Sequence, residues 1–160
     1  MIEIKDIFPD IPEGPLWIFT TDRRLTIQDE KAIDVNLSQF FVQWSAHGIP
    51  VVAEHVIFDH TVIIIAADST KSDVSGCGKD KLFHLFMALG KELGINFLNR
   101  MLVPILKDDS INLANWSEIS EQVNRDEFKE TDLYIDATVA SVKAWRAEGV
   151  KPLSELLVLL

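Results

Sequence analysis

After a lead punctuated by Pro9, Pro12 and Pro15, apolar and polar residues along the chain fall into strand and helix periods. Leu16 to Thr20 is a short apolar segment carrying Trp17 and Ile18, followed by polar Thr21 to Arg24, the pattern of a strand leaving a core. Thr26 with Asp29 has the form of a helix-starting box, and Ile33, Leu37, Phe40 and Trp44 recur beyond it at helical spacing. This stripe predicts a first helix that stops at Gly48 and Pro50, with His47 in its last turn.

Val51 to Phe58 and Thr61 to Ala67 are β-branched runs separated by Asp59 and His60, residue types that tolerate positive φ, so a two-residue hairpin is expected. In that register Phe58 faces Thr61, Val56 faces Ile63, His55 faces Ile64 and Glu54 faces Ile65. Val62 to Ile65 then sends apolar side chains to both faces of the sheet, and both should be covered. Leu82, Phe86, Leu89 and Leu93 mark a second helix over Gly78 to Leu93, with Phe83 beside the stripe and Gly94 as its stop. Met101 to Leu106 predicts a fourth strand, which Pro104 places at an edge or a bulge.

The order β-α-β-β-α-β over Leu16 to Leu106 matches the split βαβ, ferredoxin-like pattern of the α+β class, whose helices cover one sheet face and leave the other open. The remainder can supply a lid: an acidic helix over Asn115 to Phe128 with Trp116, Ile119 and Val123 on one side, a strand at Leu133 to Asp136, and a helix marked by Val139, Val142 and Trp145. Alternatively a second copy of the chain, in a homodimer, does the covering. The apolar tail Leu156 to Leu160 should dock on the core or at such a dimer contact. One domain over 1–160 is expected, with a core of about 16–106, an extension of about 107–160 and a loop from Lys107 to Asn115 between them.

Composition fits one core that needs no staples: 160 residues, 48% of them hydrophobic. Fifteen basic against 25 acidic residues leave a net charge of −10, which argues against nucleic acid and against anionic membrane surfaces. Half of this excess lies between Lys107 and Asp132, where eight acids meet three bases, the pattern of a solvated face. Cys77 is the only cysteine, so no intramolecular disulfide can form, and the start MIEIKDIFPDIPEG has no basic segment followed by an apolar run. A soluble, cytoplasmic protein is expected. The longest purely apolar run, Val62 to Ala67, has six residues, against the roughly 18 that suggest a spanning helix.

The stretch with most chemical promise is Asp68 to Asp80, small and polar, joining a buried strand to a helix start, where backbone N–H groups are exposed to anions. Ser75, Gly76, Gly78, Lys79 and Asp80 are its candidate binding residues, and Cys77 its candidate nucleophile, since the helix dipole and Lys79 both favour the thiolate. The competing reading is a helix entry whose glycines serve geometry and whose cysteine is a small buried hydrophobe. The loop is not a P-loop: Asp73 stands where the first Gly should be relative to Gly78-Lys79, and Asp80 replaces the magnesium-binding hydroxyl, so ATP hydrolysis is disfavoured. The histidines His47, His55, His60 and His84 show no convergent metal-ligand spacing, and no metal or cofactor is expected. His47 is a weak candidate for proton transfer, against the plainer role of capping a helix C-terminus. Arg24, after the first strand, is expected at the same sheet end as the Cys77 loop; with Lys79, and with Arg100 before the fourth strand, it could hold a carboxylate or phosphate. The alternative is surface pairing with some of the 25 acids. The four tryptophans sit near apolar stripes and read as core.

Trp17, Arg24-Leu25-Thr26, Trp44-Ser45-Ala46-His47-Gly48, Ser75-Gly76-Cys77 and Arg100 after Phe97 together resemble a small bacterial family of unknown function whose members are often labelled "ABC transporter ATPase". The resemblance covers most of Leu16 to Arg100 and is weaker in the tail. Its Trp-x-x-His-Gly and Ser-Gly-Cys pieces are moderately specific. In that family Ser-Gly-Cys is followed by Ser-Ile-Asp, so Gly78 and Lys79 depart from the pattern while Asp80 agrees. The departure leaves Cys77 in place and changes the residues beside it. The resemblance implies no established activity.

Two functions follow as expectations. The first is a non-enzymatic domain that binds a small anion or another protein. The second is a thiol-dependent enzyme or redox protein in which Cys77 attacks, the Gly76-Cys77-Gly78 backbone stabilises an oxyanion and His47 or Asp80 assists proton transfer.

Overall fold

The alternation of strands and helices is present in a computed structural model of the chain, which describes residues 4–74 and 76–160, with Gly76 and Cys77 described by their backbone alone. Thr26 and Asp29 form the anticipated capping box: Asp29 N–H donates to Thr26 Oγ1 at 3.1 Å and Thr26 N–H donates to the Asp29 carboxylate at 2.8 Å. The helix α1 (Ile27–Gln43) that starts there buries Ile33 and Leu37. It ends one turn earlier than the apolar stripe suggests, because Trp44 adopts extended backbone (φ −76°, ψ 123°). The chain then makes a small hairpin of β2 (Ser45–Ala46) and β3 (Ile49–Pro50), whose turn residues His47 and Gly48 have φ of 52° and 78°. His47 is therefore an exposed turn residue and caps no helix.

β1 (Leu16–Thr20), β4 (Ala53–Phe58) and β5 (Val62–Ala67) form an antiparallel sheet in the order β1-β5-β4. Its hairpin is slipped by one residue from the expected register: Phe58 faces Val62, Val56 faces Ile64, His55 faces Ile65 and Glu54 faces Ala66. Thr61 is the extra residue. Its N–H returns to Phe58 O at 3.0 Å, while its own carbonyl accepts Thr21 N–H at 2.9 Å from across β1. β5 is buried along its whole length, and its two faces feed different cores. Ile63, Ile65 and Ala67 pack with Ile33 and Leu37 of α1 and with Leu82, Phe86 and Leu89 of α2 (Gly76–Leu93). Val62, Ile64 and Ala66 pack with Ile7, Phe8 and Ile11 of the lead and with Ile135, Val142 and Trp145 of the C-terminal part. The chain covers its own sheet on both sides.

The segment after α2 departs from the ferredoxin-like plan. β6 (Leu102–Lys107) forms as expected, but it pairs with β7 (Ser110–Asn115) and β8 (Leu133–Ile135), and β9 (Val150–Pro152) completes a second sheet in the order β7-β6-β8-β9. The α+β class holds, while the fourth strand does not join β1. The physical reason is local: Asp108 and Asp109 take φ of 50° and 60°, a tight turn that folds Ser110–Asn115 back onto β6 and pre-empts the longer pairing. The stretch expected as a loop from Lys107 to Asn115 is thus largely a strand. Pro104 lies outside the part of β6 that pairs with β8, Ile105↔Tyr134 and Leu106↔Leu133.

The expected acidic helix shrinks to a 3₁₀ turn at Trp116–Glu118 and α3 (Ile119–Asn124), and Trp116 is exposed, unlike the buried Trp44 and Trp145. α4 (Val142–Glu148) buries Trp145, whose Nε1 donates to Ile4 O at 3.1 Å; Arg146 donates to Phe8 O and Ile11 O at 2.9 Å and to Pro12 O at 3.0 Å, fastening the lead. The tail docks through α5 (Leu153–Leu157), which buries Leu153 and Leu156, while Val158 and Leu159 remain exposed. Among the described residues no helix is long and apolar enough to cross a membrane.

Candidate functional site

The residues nominated from sequence are not all brought together. Asp68 begins the turn after β5, its N–H donating to Val52 O at 2.8 Å and its carboxylate accepting Thr70 N–H at 2.8 Å. Val74 then packs into the helix-side core. Ser75 lies outside the described residues. Gly76 and Cys77 open α2 as backbone, Gly78 is buried, and Lys79 and Asp80 are exposed on the first turns.

Arg24 is elsewhere. Because β1 and β5 are antiparallel, Thr20 lies opposite Val62, so the end of β1 sits at the start of β5 and not at the end where the Cys77 loop begins. The 18 residues of α2 span roughly 27 Å at 1.5 Å per residue, and it is the far end, Leu93 O, that accepts from Arg23 at 2.8 Å. Arg24 pairs with Asp59 at 3.0 Å, and Asp59 also accepts Ile111 N–H at 2.7 Å, which ties the hairpin tip to β7. The Arg24 hydrogen bond is the leading cause holding the Asp59 carboxyl below its ordinary range, with desolvation opposing it. Arg24 and Lys79 therefore cannot share an anion.

The histidines are likewise dispersed. His55 Nε2 lies 2.6 Å from Asp34 and His60 Nδ1 lies 2.5 Å from Glu30, both partners on α1, while His47 and His84 are exposed. Among the described residues no group of three His, Cys, Asp or Glu side chains is placed to hold a metal ion.

Arg100 is the nominated residue that does lie in a cavity. A groove of about 380 Å³ runs along the free edge of β1, with Leu16 to Thr20 as its floor. Phe83, Phe97 and Leu98 form its helix-side wall, Ala137 to Ala140 and Leu102 its other side, and Asn99 and Arg100 contribute polar groups. The helix-side wall is rigidly built: Phe19 stacks on Phe86 at 3.9 Å between ring centres, and Phe86 meets Phe97 edge-on at 5.3 Å. Arg100 is the one charged residue among the described lining residues, and its side chain is exposed with no hydrogen-bond or ion-pair partner among the described residues. Most of its neighbours in the groove are apolar, and a carboxylate reaching it would meet a charge-assisted partner that no acid among the described residues already holds.

A ferredoxin-like sheet fills that edge of β1 with its fourth strand, so the order of elements gave no sign of this groove. A second depression, of about 550 Å³, crosses the other edge of the sheet beside β4 and is more open. Its basic side chain, His55, is already engaged by Asp34. No family model, curated protein or solved structure matches the chain.

Proposed function

We infer that the protein is a non-enzymatic binding domain, and that its site is the groove along β1, taking a ligand with a carboxylate on an apolar body. The observation that carries this reading is Arg100: a guanidinium with no partner among the described residues, at a largely apolar groove, in a chain whose net charge is −10. Arg100 belongs to the anion-binding set nominated from sequence, whereas Arg24 is engaged by Asp59. The lone cysteine supports a cytoplasmic setting. The thiol-dependent alternative rests on Cys77, whose backbone stands in the first turn of α2, where the helix dipole favours a thiolate.

The test is a chemical-shift titration of the ¹⁵N-labelled chain with small carboxylates such as succinate and hexanoate. Perturbed amides should gather at Ile18 to Thr20 and Leu98 to Arg100, and Arg100→Ala should abolish them. Perturbations centred on residues 76–80 would move the site to the start of α2 and refute the groove.

A further inference from the structure

β1 is an edge strand, and part of its main chain faces the groove. The bonds Thr21 N–H to Thr61 O and Ala67 N–H to Pro15 O fix the phase of the antiparallel pairing. The N–H and C=O of Trp17 and Phe19 therefore point to β5, and those of Leu16, Ile18 and Thr20 point outward. At one end this outer edge is used: Leu16 N–H donates to Ala140 O at 3.0 Å and Val142 N–H to Gly14 O at 2.9 Å, a short antiparallel bridge. It stops there because the preceding residues turn away, with Val139 N–H on Asp136 O at 3.2 Å and Thr138 N–H on the Asp136 carboxylate at 3.0 Å. Half-buried Ile18 and Thr20, only 5% exposed at the groove floor, keep outward N–H and C=O groups with no partner among the described residues.

We propose that the groove takes an extended peptide segment, added antiparallel to β1 beside Ile18 and Thr20, with an acidic side chain of the peptide on Arg100. This rests on the groove being the binding site. An extended chain supplies main-chain donors and acceptors at every second residue on one side, the spacing that Ile18 and Thr20 present; a small anion leaves those groups unmade. A second copy of this chain is disfavoured, because Phe97 and Leu98 on one side and Leu102 with Ala137 to Ala140 on the other flank the β1 edge and hold another sheet edge off it. Charge selects the peptide: Arg100 is the one charged group among the described lining residues, so an acidic position is favoured and a basic one repelled.

The experiment titrates the ¹⁵N-labelled full chain with acetyl-Val-Val-Glu-Val-Thr-amide, with two versions N-methylated on alternate sets of residues, and with succinate. The parent peptide should shift the Ile18 and Thr20 amides and slow their hydrogen exchange. One N-methylated version should bind roughly tenfold or more weakly while the other is tolerated, because only one set of peptide N–H groups faces β1. Arg100→Ala, at an exposed position, should weaken the parent peptide roughly tenfold and leave the folded spectrum intact. Equal binding of both methylated versions and the parent overturns strand addition while keeping the groove as a site. Succinate moving Leu98 and Arg100 while no peptide binds does the same. Undiminished peptide binding in Arg100→Ala overturns the placement of the acid, and groove amides unmoved by every probe overturn both readings.

Discussion

Replacing Asp29 with Asn tests how the end of β1, the start of α1 and the end of α2 are fastened together. The Asp29 carboxylate accepts from Arg23 at 2.6 and 3.3 Å and from Thr26 N–H at 2.8 Å, and Arg23 reaches on to Leu93 O at 2.8 Å. The Arg23 bond first, then the Thr26 bonds, hold the carboxyl at about 2 against an ordinary 3.8, while desolvation pulls the other way. At about 1.4 kcal/mol per pH unit the difference is about 2.5 kcal/mol, which solvent screening at the 40% exposed Arg23 side chain reduces to about 1–2 kcal/mol. Asn preserves the size and one acceptor, so packing should be unchanged. The folded carboxyl titrates below the unfolded one, so its contribution is complete above 3.8 and is lost as pH falls from there through about 2. Calorimetry at pH 7 should show Asp29→Asn melting roughly 3–6 °C lower than the parent, with the gap closing as pH is lowered through that window. A gap that persists unchanged to the lowest pH at which both proteins fold, or no gap at neutrality, would refute the reasoning.

Other outcomes follow from close approaches and from Cys77. Gly14 has φ of +152° and a Cβ there would stand 1.7 Å from Ala67 O, so Gly14→Ala should cost about 3 kcal/mol or more, read as a lowered urea midpoint. Gly149 lies against Trp145, where an added Cβ would meet Cε3 at 2.3 Å; Gly149→Ala should cost about 1–3 kcal/mol by the same assay, and a neutral result would mean the buried indole can shift. For a binding domain, iodoacetamide should alkylate Cys77 no faster in the folded chain than in the denatured one, where a free thiol titrates at roughly 8.5. A fast folded-state rate that levels off well below that value would favour the thiol-dependent reading instead.

Where a local signal had one physical meaning, the fold could be read directly. Thr26 and Asp29 can satisfy each other's backbone only at a helix start, and the capping box stands where it was expected. Val62 to Ala67 announced a strand covered on both sides, yet the same property hid its register, because a run apolar at every position gives no penalty for a one-residue slip. β7 was hidden for the opposite reason. Ile111 and Leu113 do alternate with Asn112 and Ala114, but the turn that folds them back is Asp108-Asp109, without the glycine that usually signals positive φ. Of the nominated site residues, Arg100 reaches the groove and Arg24 is held by Asp59 at the hairpin tip, a pairing that composition and spacing do not encode. The groove itself is a product of topology: it exists because β6 pairs locally and leaves the β1 edge free.

A strand that serves two cores binds the fates of both. Severing the chain between α2 and β6 would strip Val62, Ile64 and Ala66 of Val142, Trp145 and their neighbours, leaving an oily face on one fragment and unsupported helices on the other. The two sheets should accordingly melt in one transition, and neither half is a sensible expression unit.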